Sequence, residues 1–425
     1  MQTLIGDQMR IIKQEIYFPI LILIHFVFWI VDLYIYNGSY EYTSKHIAGE
    51  VFSSWVVTVF AANFLMATRA KWIEKIFGGL DKMYMIHRRS GVIAVVLLLF
   101  HFIVVPRDPV FTIGKPLGFY SLVLILVGVI ISATPLFKRK FKYHKWVNFH
   151  KLMGIFYIIG IAHSVNVPTL TSQLPIVRTY VYLMAAIGII AWFYRAFLYN
   201  LFNKKLNYTV EKVKQFENDI TEFIVKPQAN KLIFEAGQFA FVSLHDKALK
   251  EPHPFTISSH PSEDNLRFTV KALGDYTSDL QTGLKEGVSA KIEGPFGCFS
   301  FKKAKHNKQI WLAGGIGITP YLSFIKELDD NYNVTLIWSV RTISQANYKE
   351  EIENNVTQKP NLKFVLNDTD THGLFTIDKL YKSADLKNTS IFICGPETMR
   401  ESYIKQLLQK GVLLTDIHFE EFSFR

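Results

Sequence analysis

The sequence predicts a six-helix transmembrane bundle, then a cytoplasmic antiparallel β-barrel, then an α/β domain on a parallel sheet. Three observations carry that prediction. Six apolar runs, each near the roughly 20 residues that cross a bilayer, fill the first half of the chain. From residue 206 the pattern turns to short alternating runs separated by turn signals. After Phe301 strands alternate with helices, which implies parallel pairing. The domains expected are 1–205, 206–301 and 302–425.

Composition narrows the classes. The chain has 425 residues, 49% of them apolar, which is enough to fill several cores and excludes disorder. Its 2 cysteines exclude a disulfide scaffold, a Cys-rich zinc module and a Cys-ligated iron–sulfur cluster. The net charge of +11 is unevenly placed. Residues 1–205 hold 21 Lys/Arg against 8 Asp/Glu, whereas the remainder holds 26 against 28. The excess lies wholly with the apolar runs, so it needs no nucleic acid to explain it.

The six runs are 16–36, 51–68, 86–105, 116–136, 147–167 and 176–198. The first lacks a small-residue cleavage site and does not read as a removable signal peptide. With the N-terminus inside, 17 Lys/Arg fall on inner segments and 4 on outer ones. The positive-inside rule then places both termini in the cytoplasm of a multi-pass cell-membrane protein.

Ionisable residues within spans are functional candidates. The third run carries His87 and His101, and the fifth carries His150 and His163. Both runs point outward, so His87 and His150 share the inner depth and His101 and His163 the outer. Within each run the separation is 14 or 13 residues, roughly 20 Å along a helix. Two depth-matched pairs on two helices suit two haem irons, one above the other. A proton relay uses the same histidines, and a metal without porphyrin lacks nearby carboxylates. Fourteen residues return to within about 40° of one face, but thirteen fall about 140° away. The fifth run must therefore deform, or His150 must sit at a frayed inner end. Arg88 and Arg89 beside His87 suit propionates or simple inner anchoring. His25, alone in the first run, reads as a packed histidine.

In the second half, 208–213, 220–225, 239–244, 266–272 and 289–293 read as barrel strands. Beyond them, 309–313, 334–340, 363–366 and 391–394 read as parallel strands, with helices at 320–328, 350–356 and 397–409. Trp311 to Pro320 is a strand entering a Gly-rich turn and a helix. Gly314, Gly315 and Gly317 let a phosphate approach backbone N–H groups, with Thr319 placed to cap the helix and Pro320 to open it.

His253-Pro-Phe-Thr-Ile-Ser258 resembles the flavin-binding strand of the ferredoxin–NADP reductase superfamily, in its NADPH oxidase and ferric reductase branch. The run Gly314–Pro320, then Ile393-Cys-Gly-Pro396 and a C-terminal aromatic, follow in that family's order and spacing. The likeness extends from the second run to the terminus and is greatest to bacterial NADPH oxidase homologues. It implies a flavin barrel and an NADPH-binding α/β domain. By position, Pro254, Phe255, Thr256, Ile257 and Ser258 would line FAD, Thr256 at the isoalloxazine edge. His253 stands where relatives often carry Arg. Lys271, Gly274 and Thr277 resemble the segment holding the FAD pyrophosphate. Gly314, Gly315, Gly317, Thr319 and Pro320 would take the nicotinamide dinucleotide, with Arg341 at a 2′-phosphate. Cys394, Gly395 and Pro396 would lie by the nicotinamide. Phe424 would stack on the flavin, with Phe422 its rival because Arg425 follows. Thr256, Cys394 and Phe424 are thus the candidate catalytic residues.

The expectation is a transmembrane oxidase carrying electrons from NADPH through FAD and two b-type haems to external O2, which becomes superoxide. A ferric-chelate reductase shares every inner part. A proton channel with a flavoprotein sensor is the reading from another class. No obligate protein partner is evident beyond the bilayer and the external acceptor.

Overall fold

The computed structural model describes residues 17–36, 42–106, 110–134, 143–245, 249–379 and 381–420. Two compact units divide between Asn203 and Lys204.

The first unit is helical: α1 Tyr17–Tyr36, α2 Ser44–Ala67, the short α3 Lys71–Phe77, α4 Leu80–Val104 and α5 Gly114–Ala133. Then come α6 Tyr143–His150, α7 Met153–Val165 and α8 Pro175–Phe193, continued by a π-helical turn and by α9 Tyr199–Phe202. Helix α2 packs along α4 and α8, and α5 along α7. Side chains such as Leu23, Ile103 and Ile190 are more than half exposed on this unit. Such an apolar exterior suits lipid rather than water.

Among the described residues, four helices are long and apolar enough to cross a membrane: α2, α4, α5 and the run Pro175–Phe202. Helix α1 contributes a shorter apolar stretch, Pro19–Ile35. The run 147–167, expected as one span, is instead two helices, α6 of 8 residues and α7 of 13. Trp192 of α8 explains the break. Its indole N–H donates to the Lys151 carbonyl at 2.7 Å. Gly154 leaves room for that ring, since a Cβ there would lie 2.2 Å from it. A side chain inserted into the helical ladder breaks or kinks it.

Loop 166–174 is pinned by two buried carboxylates. Glu50 accepts from the N–H groups of Leu170 and Thr171 at 2.8 and 2.6 Å, and from the Thr171 hydroxyl at 2.7 Å. Asp32 accepts from the Val177 N–H at 2.7 Å, in the first turn of α8. Leu170 and Leu174 are fully buried there against Trp29 and Val177.

The second unit holds two sheets. Strands β1 Leu206–Phe216, β2 Ile220–Pro227, β3 Phe239–Leu244, β4 His253–Thr256, β5 Leu266–Lys271 and β6 Ser289–Phe296 form an antiparallel sheet. Its order is β4-β3-β6-β1-β2-β5. The edges approach through one isolated bridge, Ile257 to Phe268, so the sheet is a half-barrel around Tyr208, Phe223, Val242, Phe268 and Ile292. Helix α10, Asp275–Gly283, follows β5.

Strands β7 Lys308–Gly314, β8 Asn333–Val340, β9 Leu362–Asp368, β10 Ser390–Cys394 and β11 Ile417–Phe419 form a parallel sheet ordered β11-β10-β7-β8-β9. Its helices include α11 Thr319–Glu327, α12 Lys349–Gln358, the short α13 Thr369–His372 and α14 Glu397–Gln409. Strand β10 is buried at all five residues, as a parallel strand covered on both faces should be.

Candidate functional site

The histidines meet as depth-matched pairs. His87 of α4 and His150 of α6 have ring centroids 6.0 Å apart, and His101 of α4 and His163 of α7 have them 6.4 Å apart. A metal–imidazole bond is roughly 2 Å, so two rings reaching one ion from opposite sides would have their centres about 6 Å apart. The separations match that geometry.

The hydrogen bonds that hold the rings also fit. Each Nδ1 is already engaged: His87 with the Asn63 carbonyl at 3.2 Å, His101 with Gly49 at 2.8 Å, and His163 with Gly114 at 2.9 Å. His150 uses the Ser132 hydroxyl at 3.0 Å. Metal-bound histidines characteristically fix one nitrogen this way and leave the other to ligate. Gly118 lets α5 approach the outer site, since a Cβ there would lie 2.7 Å from the His163 ring. The break at residues 151–152 puts His150 on its own helix, which resolves the awkward spacing of thirteen. His25 is fully buried against Tyr180, with neither ring nitrogen bonded.

In the second unit the flavin-like strand is β4, paired with β3 from His253↔Val242 to Thr256↔Phe239. His253 stacks on Tyr276 at 3.5 Å and 14°. Pro254 and Phe255 are half-buried and Thr256 is buried. Ile257 and Ser258 turn inward: Ile257 joins the barrel core, and both the N–H and the hydroxyl of Ser258 donate to the Arg267 carbonyl. Gly274 precedes α10 in open space. The Thr277 hydroxyl accepts from the N–H groups of Leu273 and Gly274 at 2.9 and 3.0 Å, so it serves as a helix cap. Lys271 lines a cleft with Gly315, Ile316, Trp338 and Asn347. That places it on the side of the Gly-rich turn.

The Gly-rich run links β7 to α11, and Gly315 takes a left-handed φ of 53° that favours glycine. The run meets the 394–396 segment directly. A Cβ at Gly317 would lie 2.2 Å from the Cys394 carbonyl, and one at Gly395 3.1 Å from Gly314 backbone. Pro396 sits just before α14. The expected role of Thr319 as a cap is corrected. Thr319 is already the first helical residue, Ile318 occupies the cap position, and no side chain bonds there. Pro320 does open the helix, in its first turn. Arg341 is exposed, 3.6 Å from Asp370.

Cys394 is fully buried, with its thiol 4.0 Å from Glu420, a residue no motif pointed to. Burial pushes the thiol well up, and the Glu420 carboxylate adds to it. It therefore stays a thiol rather than a thiolate nucleophile. Tyr321, beneath the Gly-rich turn, is pushed up by burial and by both neighbours. Phe422, Phe424 and Arg425 lie outside the described residues.

Three family models match successive parts of the chain. Residues 52–161 match the ferric reductase like transmembrane component, 205–319 an FAD-binding domain, and 311–405 an oxidoreductase NAD-binding domain. Dual oxidase 2 of Rattus norvegicus is 26% identical over 290 residues, covering 64% of this chain and 18% of that protein. The flavohemoprotein of Oceanobacillus iheyensis is 25% identical over 235 residues, 50% of this chain and 58% of that one. The chain thus spans under two thirds of these relatives. The flavohemoglobin structure from Malassezia yamatoensis shares the fold at TM-score 0.52 and 17% identity, covering 90% of this chain and 99% of that one. The chain therefore joins a ferric reductase-like transmembrane domain to FAD-binding and NAD-binding oxidoreductase domains, and it is homologous to the dual oxidases.

Proposed function

We propose that this chain is a six-span NADPH oxidase of the cell membrane, both termini cytoplasmic. It would move electrons from cytoplasmic NADPH to external O2 and so produce superoxide, with FAD and two b-type haems as carriers. The facing histidine pairs, at 6.0 and 6.4 Å, carry the reading. When bound, FAD supplies the change from hydride to single electrons, and the haems supply single-electron relay. His87 and His150 would hold the inner iron, and His101 and His163 the outer. Holding each iron through two histidines would leave electron passage, rather than O2 binding at iron, as the chemistry the haems supply. His253 to Thr256 would bear the flavin, Gly314 to Pro320 the dinucleotide, and Arg341 a 2′-phosphate. Cys394 would lie by the nicotinamide as a neutral thiol, and Phe424 or Phe422 would cover the flavin. The partners are then the bilayer and the acceptor.

A ferric-chelate reductase is the second reading, favoured by the match of residues 52–161. NADPH-driven reduction of cytochrome c by the purified chain, with and without superoxide dismutase, separates the two. Dismutase-sensitive activity supports superoxide, and insensitive activity beside ferric-chelate reduction supports the reductase. A dithionite-reduced spectrum without bis-histidine haem bands would sink both and favour a proton relay.

A further inference from the structure

A cluster of polar contacts ties the half-barrel to the parallel-sheet half just where β4 ends. Arg267 of β5 has a side chain only 13% exposed. Its Nη1 and Nη2 donate to the two carboxylate oxygens of Glu351 on α12, at 2.8 and 2.9 Å. Nη2 also donates to the Ser258 carbonyl at 3.0 Å. Glu222 lies 3.7 Å from Nη1 and accepts from the Tyr348 hydroxyl at 2.8 Å. One residue on, the Ser259 carbonyl accepts from the Ser323 hydroxyl of α11 at 2.7 Å. Ser258, Ser259 and Ser323 are fully buried. The exit of β4 is thus gripped from α12 through a bidentate arginine, and from α11 directly. Helix α11 is the one that the Gly-rich turn opens.

A bidentate guanidinium–carboxylate pair fixes orientation as well as distance, which lysine's point charge does not. Hydride transfer is sensitive to such placement, since a 1 Å error costs about a hundredfold. We propose that Arg267 is a positioning residue that, with Glu351, locks the β4 exit to the nucleotide-binding half and so sets the approach of nicotinamide to flavin. This rests on the reading that NADPH is oxidised by passing its hydride to FAD.

The test uses the full chain loaded with FAD, as R267K, E351Q and the double variant, in rapid-mixing flavin reduction by NADPH. Each single variant should slow reduction at saturating NADPH at least about tenfold, with half-saturating NADPH and flavin content within about twofold. The double variant should be no slower than the worse single one, because both remove the same contact. Amide hydrogen exchange over 257–260 and 319–327 should rise in all three. Unchanged rates and exchange in the single variants, or additive losses in the double, would overturn the proposal. If NADPH fails to reduce the flavin of the unaltered chain, the functional reading fails, and the exchange measurement alone decides whether Arg267 locks the two halves.

Discussion

The two histidine-bearing spans perform one geometric task by different means. Helix α4 carries His87 and His101 on one continuous helix of 25 residues, where a spacing of fourteen keeps both rings on nearly one face. The partner side spaces His150 and His163 by thirteen and cannot remain continuous. It breaks at residues 151–152, where the Trp192 indole claims the Lys151 carbonyl, and each half turns its own histidine to α4. A regular helix fixes the angle between two ligands, whereas a broken one leaves each free to be aimed. The register of α4 is therefore the reference to which the other side is fitted.

The largest expected effect comes from removing a ring. On the proposed two-haem reading, His163→Ala should cost the outer haem, about half of the haem per chain, and leave flavin reduction by NADPH intact. Loss of flavin reduction as well would show that the two units do not work separately. An inserted alanine separates the two spans more sharply. Between Val95 and Val96 it turns His101 about 100° away from the face of His87, and haem should be lost. Between Lys151 and Leu152 it enters an existing break, and more haem should survive. Equal losses would erase the comparison.

Gly118→Ala should weaken the outer site, because its Cβ would press on the His163 ring, and the haem content of the variant checks this. A smaller effect is expected at the inner site. His150 alone among the four is oriented by a side chain, so Ser132→Ala should shift the inner haem's potential or weaken its retention, by about tenfold or more in affinity. A redox titration that finds only the outer potential moved would assign the depths wrongly.

Outside the membrane, a modest pH effect is expected at Glu263. Burial alone would raise its carboxyl, but Lys326 and the His260 N–H hold it below its ordinary 4.5. A depressed acid stabilises the fold above that value and loses its contribution as pH falls through the lower folded value. For so exposed a pair this is at most about 1 kcal/mol. An acid melting series on Lys326→Met should show the full loss above about pH 4.5 and a shrinking one as pH falls below it.

Much of this was legible in the sequence because it is periodic or punctuated. Ring pairs at fourteen and thirteen residues, and a glycine run after a strand, leave local marks. The break at 151–152 was foreshadowed by the angular misfit, but not its cause, because Trp192 lies 41 residues away. Thr319 and Thr277 show the limit of reading caps from residue type. The helix at 319 begins one residue earlier than a cap there would require, while the Thr277 hydroxyl closes the start of α10 without any capping pattern to announce it. Arg267, Glu351 and Glu420 left no signal, since each gains its meaning from a partner distant in the chain.

The carboxylates of Asp32 and Glu50 bear on the order in which the protein is made. Their hydrogen bonds run to residues 120 to 145 positions later. Helices α1 and α2 must therefore leave the ribosome well before those N–H donors exist. A buried carboxylate without a partner is costly. The first two helices cannot settle into their final burial until residues 170–177 arrive, so the closing of loop 166–174 ties the first two helices to the last long one, α8.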